Sequence, residues 1–160
     1  METWDDRRTM ARLLAEARVD FQPEHHLIGP TPDEIILHYL VASGAFHGPH
    51  VELTAIANCG EEWNTVRGDG VIAFESKQVL CDPGGDLVCA SFTGLYDVGD
   101  DGYIDALDDL LTSKVPAEFV VRFYTAAKGY RWLNRALFVG RGERDFSRGT
   151  FGLRIFALEK

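Results

Sequence analysis

The strongest constraint on this chain is a recurrent alternation of apolar and polar residues, cut at short intervals by glycine and proline. The turns are GPTPD at 29–33, GEEW at 60–63, Asp69-Gly70, DPGGD at 82–86 and RGERDFSRG at 141–149. Between and beside them lie the runs RVDFQPEHHLI (18–28, interrupted at Pro23), EIILHYLVA (34–42), VELTAIANC (51–59), VIAFESKQVLC (71–81) and DLVCASFTGLYDV (86–98). AEFVVRFYT (117–125), YRWLNRALFVG (130–140) and FGLRIFALE (151–159) complete the set. Period-two runs bounded by turn residues are strands with two distinct faces. Joined mainly by tight turns, they predict an antiparallel barrel or a sandwich. A chain of 160 residues predicts one domain over 1–160.

Two stretches depart from this pattern. Residues 3–17, TWDDRRTMARLLAEA, carry Met10, Leu13, Leu14 and Ala17 at helical spacing, with Asp5 and Asp6 in a first turn capped by Thr3. They predict an N-terminal helix over 1–18. Residues 100–113 carry Ile104, Leu107, Leu110 and Leu111 at helical spacing behind Asp100 and Asp101. They predict a short acidic helical insertion.

The net charge of −9 disfavours nucleic acid and anionic membrane as partners. The charge is uneven: six Asp and no base between Asp97 and Asp109, against eight Arg or Lys between Arg122 and Arg154. Two solvated faces explain this; a self-complementary homodimer contact or an anionic-ligand site would use it. Cys59, Cys81 and Cys89 form an odd set with no secretory leader pattern, which predicts reduced thiols and a cytoplasmic protein. No apolar run approaches the length of a membrane span.

Alternation groups Glu118, Val120, Arg122 and Tyr124 on one strand face, and Trp132, Asn134, Ala136 and Phe138 on another. Period two defines such sets but not which of them points inward. Small Ala136 beside Trp132 and Asn134 suits the taper inside a barrel, so Trp132 and Asn134 are expected to face the lumen. Arg135 and the turn Arg141 to Arg144 are expected outside or at the rim.

The segments YRWLN and FVGRGER within 130–144, the preceding FVVRFYT strand, CGEEWNTVRGDG at 59–70 and LIGPTP at 27–32 together resemble the domain-of-unknown-function family DUF3237. The resemblance spans most of 20–158. It implies a mainly β fold: a lipocalin-like closed antiparallel barrel of about eight to ten strands with an interior pocket. It also implies small-molecule binding or rearrangement in secondary metabolism. The chain departs from the family pattern where Glu62 replaces an Asp before Trp and Lys77 replaces an Arg, a change that loses bidentate geometry. The N-terminal helix and the acidic insertion look like additions, either of which would close the barrel mouth.

Glu62, beside Trp63, is the first candidate acid or base, since a carboxyl shielded from water is raised toward neutrality. A solvated loop glutamate is the competing reading. Arg122, Tyr124 and Asn134 are candidate donors to a ligand carbonyl or enolate. Against this, Arg122 pairs equally well with Glu118 or Asp145, and Asn134 with a local loop. Lys77 either pairs with Glu62 or lies with Glu75 on an exposed face. His38, between Ile36 and Leu40, is either a core histidine or a proton shuttle. Trp63, Lys77, Tyr130 and Trp132 are the expected ligand-binding side chains. His25 and His26 point to opposite faces of a strand, so they do not share an ion, and no metal site is expected. No phosphate loop, nucleophile elbow or zinc-type cysteine spacing is present, and no cofactor is expected.

These residues predict a cofactor-independent isomerase or cyclase, or a lyase, acting on an apolar or aromatic small molecule in the lumen. The alternative is a non-catalytic carrier using the same pocket.

Overall fold

The computed structural model describes residues 11–158. Eight antiparallel strands follow one another around a closed barrel. They are β1 (Ala11–Leu27), β2 (Ile35–His47), β3 (Glu52–Val66), β4 (Val71–Cys81), β5 (Leu87–Asp97), β6 (Lys114–Tyr124), β7 (Phe138–Asp145) and β8 (Thr150–Leu158). Each pairs with its neighbour in sequence, and β8 closes onto β1. Closure leaves no free sheet edge, and an eight-stranded barrel is just wide enough for side chains to fill it.

The alternation read in the sequence is the inside–outside code of this wall. On β2, Ile35, Leu37, Tyr39 and Val41 point inward; on β6, Val115, Ala117, Phe119, Val121 and Phe123 do. Aromatic rings fill the middle. Phe119 stands 6.4 Å from Phe74, 5.7 Å from Phe92 and 5.7 Å from Phe151, centroid to centroid. Glycines on both flanking strands make room for it, because Gly94 of β5 and Gly140 of β7 sit opposite Phe119 in register. A Cβ at either position would collide with the Phe119 side chain.

Three elements differ from the sequence reading. The expected N-terminal helix does not extend over 11–17, which belong to β1 and pair with β8; the rest of that prediction falls outside the described residues. A register shift between Leu13 and Ala15 reproduces the adjacent apolar pair that suggested a helix. Beyond it Ala15, Ala17, Val19 and Phe21 alternate inward. Ladder bonds to β8, joined from Glu16 onward by bonds to β2, outweigh the weak helical preference of a short segment.

Secondly, GEEW at 60–63 is not a turn but the middle of β3, with Glu62 opposite Tyr39 on one side and Ser76 on the other. Thirdly, the stretch 130–137 is not a strand. Lys128–Arg135 form a 3-10 segment that crosses one barrel end, and β7 begins only at Phe138.

The acidic insertion does contain a helix, α1 (Gly102–Leu107), preceded by Asp101. It is shorter than its apolar spacing suggested. Ile104, Leu107 and Leu110 are exposed, whereas Gly102 and Ala106 are buried against the barrel.

Candidate functional site

Most of the lumen is apolar, but its α1 end carries a connected group of polar side chains. Glu62 and Asn64 lie two apart on β3, so both point inward from one strand face. Tyr96 comes from the last turnward residues of β5 and Arg144 from those of β7. Tyr39 is the β2 neighbour of Glu62, and Ser76 its β4 neighbour. Glu62 is 1 % exposed, Asn64 0 % and Arg144 0 %.

The Tyr96 hydroxyl donates to Glu62 Oε1 at 2.5 Å, and Asn64 Nδ2 donates to Glu62 Oε2 at 3.4 Å. Arg144 Nε stands 3.6 Å from Glu62 Oε2, near enough for charge attraction and too far for a hydrogen bond. The guanidinium is enclosed by rings: its Cζ lies 3.9 Å from the Phe21 centroid, 4.7 Å from Phe146 and 4.9 Å from Tyr39.

Burial pushes the Glu62 carboxyl above its ordinary range; Arg144 and the donated hydrogen bonds pull it back without cancelling the desolvation. Burial likewise raises Tyr39 and Tyr96, with Glu62 adding to the Tyr96 shift, so both hydroxyls stay protonated. The group thus contains a carboxyl that retains its proton to higher pH than a free one, beside two neutral phenols and a fixed cation.

Several buried polar atoms here have no hydrogen-bond partner: Asn64 Oδ1, Arg144 Nε and Arg144 Nη2, with Gln78 Oε1 deeper on β4. Such atoms are costly in a protein interior. Around the Glu62 carboxyl they amount to two donor nitrogens on Arg144 and one acceptor oxygen on Asn64.

Access to this group is covered by the β5–β6 connection that contains α1. His25 Nε2 lies 2.7 Å from Asp109 Oδ1, and the His25 ring stacks on Tyr39 at 5.1 Å. Asp109 takes a left-handed conformation (φ 56°) just past the helix, a place where glycine is usual.

Of the residues singled out in the sequence, only Glu62 is in this group. Trp63 does not shield it: as the next residue it points outward and is 42 % exposed. His38 is on the outer wall, its ring 4.4 Å from Trp63 and its Nε2 2.8 Å from Glu61 Oε2. Arg122 and Tyr124 share a face as expected, but the outer one, with the guanidinium 5.2 Å from the phenol ring centroid. Lys77 also faces out, lining a shallow depression with Leu40, Glu61 and Cys89.

Asn134 and Trp132 do not face the lumen. Asn134 accepts from Thr125 N and donates to Thr125 O, both at 2.8 Å, which ties the 3-10 segment to the end of β6. Trp132 is 41 % exposed and leans on Phe138. The Tyr130 hydroxyl donates to Asp82 in the β4–β5 turn at 3.2 Å. All three belong to the barrel end opposite Glu62.

Arg144 overturns the expectation that the turn 141–144 lies outside. It occupies the same period-two face as Phe138, Gly140 and Gly142, so counting on from Phe138 would have found it. Asn64 and Tyr96 follow in the same way from Glu62 and Phe92.

The model of the family described as "Protein of unknown function (DUF3237)" matches residues 11–158. Comparison with curated protein sequences finds no match. Among solved structures, a protein of unknown function from Clostridium acetobutylicum ATCC 824 superposes with a TM-score of 0.80 at 17 % identity, covering 94 % of this chain and 99 % of that one. A β-barrel-like protein from Acinetobacter baumannii AYE gives 0.79 at 18 % identity, covering 98 % and 100 %. A protein described as an enzyme from Penicillium herquei gives 0.62 at 16 % identity, again covering 98 % and 100 %. At these identities the superpositions establish a shared barrel and nothing finer. With the family model spanning the barrel from its first strand to its last, the chain belongs to the DUF3237 family.

Proposed function

We propose that this protein is a small-molecule enzyme of isomerase or cyclase type, with Glu62 as its acid–base group at the α1 end of the barrel. The observation that carries this reading is the set of unpartnered buried atoms around Glu62: Arg144 Nε, Arg144 Nη2 and Asn64 Oδ1. A ligand carbonyl or enol oxygen placed there would accept from Arg144 and lie beside a carboxyl whose affinity for a proton is raised by burial. Glu62 would give a proton to the ligand or take one from it. Arg144 would stabilise the developing oxyanion, where fixed donors in a dry site act most strongly. Tyr96 would hold the carboxyl in place and return its hydrogen bond as Glu62 ionises. Phe21, Tyr39 and Phe146 around the guanidinium favour an apolar or aromatic ligand body. The residue types foreseen for this role, an Arg, a Tyr and an Asn, are supplied by Arg144, Tyr96 and Asn64 rather than by Arg122, Tyr124 and Asn134.

The test is mass spectrometry of ligand retained through purification, followed by incubation of that ligand with wild type and Glu62→Gln. We expect a product isomeric with the ligand from wild type. In Glu62→Gln the rate should fall about 10²- to 10⁴-fold, the usual contribution of a general acid or base. Recovery of unchanged ligand from both proteins would reject catalysis and leave a carrier that uses the same donors.

A further inference from the structure

We infer that His26 and His38 form an exchangeable transition-metal site on the outer wall, with Glu61 setting the tautomer of His38. The two histidines belong to neighbouring strands and stand directly opposite each other in register. Alternation turns His25 inward, to Tyr39 and Asp109, and leaves His26 outside beside His38. An ion shared by the adjacent His25 and His26 is therefore ruled out by strand geometry, while one shared across the strands is not.

The two imidazoles are nearly parallel, with ring planes 18° apart, and their Nδ1 atoms are 3.1 Å apart. Two nitrogens bound at ~2.0–2.1 Å to one ion stand about 3 Å apart when the angle at the ion is close to a right angle. The pair therefore already has the spacing of two adjacent ligands.

The hydrogen bonding of His38 points the same way. His38 Nε2 is 2.8 Å from Glu61 Oε2. In that contact the Glu61 carboxylate oxygen is the acceptor. With His38 Nε2 donating to Glu61, its Nδ1 is the ring nitrogen that faces His26. A carboxylate that fixes a histidine tautomer from behind is the usual outer partner of a metal-bound imidazole. Trp63 packs on the His38 ring and keeps it in place.

Among the described residues, no third His, Cys, Asp or Glu completes the pair into a closed cluster. Water or a small ligand would fill the remaining positions, which gives a labile site rather than a structural one. Two imidazoles suit Cu(II), Ni(II) and Zn(II), with Cu(II) held most tightly. The ion would join β1 to β2 beside the register shift between Phe21 and His25, on the hairpin whose inner face carries two of the rings around Arg144.

The test is calorimetric titration of the full chain with copper(II) chloride in a non-coordinating buffer, with electron paramagnetic resonance of the product. We expect one Cu(II) with two imidazole nitrogens. His26→Ala and His38→Ala should each weaken binding by more than tenfold, and Glu61→Gln by about 10- to 100-fold. The double variant His47→Ala/His50→Ala should bind like wild type. His26 is exposed, so its truncation leaves the barrel folded, which circular dichroism verifies. Equal affinity in wild type and His26→Ala, or a spectrum with one imidazole, would overturn the proposal and reduce the pair to an N–H···N contact.

Discussion

At one end of the barrel the 3-10 segment Lys128–Arg135 lies across the opening, and Leu133, fully buried, fills it with hydrocarbon. At the other end α1 covers a carboxyl, a guanidinium, an amide and two phenols. The first closure stabilises by removing apolar surface from water, and its polar groups are satisfied locally, as in the paired bonds of Asn134 to Thr125. The second buries charge and leaves donors without partners. A protein that needed only a closed barrel would gain by repeating the first solution. Retaining the costlier one where strands from four parts of the chain converge is what the proposed function at the α1 end would require.

The contrast can be broken by substitution at each end. Arg144→Ala should have the largest effect, about 3–5 kcal/mol lost in denaturant unfolding, because it strands Glu62 as an uncompensated buried acid. The double variant Glu62→Gln/Arg144→Met should recover much of that loss. If the double variant is no better than the single one, charge is not what makes this end costly. Leu133→Ala should come next, costing about 2–5 kcal/mol through a cavity at the sealed end. It should leave ligand retention at the α1 end unchanged; a parallel loss of ligand would mean that the two ends are not independent.

The smallest effect concerns pH. The folded-state pKa of Glu62 is raised, so between its unfolded and folded values the native protein binds more protons than the unfolded chain. Stability from this group therefore falls as pH rises through that window, by at most about 1.4 kcal/mol per pH unit. Glu61, Asp69 and Asp145 are shifted downward and act in the opposite sense, losing stability as pH falls. Subtracting the unfolding profile of Glu62→Gln from that of wild type isolates the Glu62 contribution. A difference that does not change from the acid range to neutrality would show that Glu62 titrates normally.

How far the site was legible depends on what each inference required. Glu62 is legible in the sequence as a candidate, a carboxyl beside an aromatic residue, although the indole beside it faces the other way and its burial comes from the lumen. Asn64, Tyr96 and Arg144 were within reach of alternation once one inward residue per strand was known. The assignment went astray at 130–137, where aromatic and branched residues look like a strand but the chain crosses the barrel end. Reading that stretch as a strand carries Trp132 and Asn134 inward, while reading 141–149 as a turn stops the alternation before Arg144.

By itself the sequence determined the strand-and-turn pattern, the grouping of side chains into alternate faces, the acidic helical insertion and the family. These depend on local periodicity and on glycine and proline, which act within a few residues. Tertiary structure alone decided which face is inside, that 11–17 join the wall and that 128–135 do not. It also decided that His26 meets His38, and that Arg144 reaches Glu62 from the far side of the lumen. Those outcomes follow from register and closure, which are set by pairing between strands distant in sequence and leave no local trace.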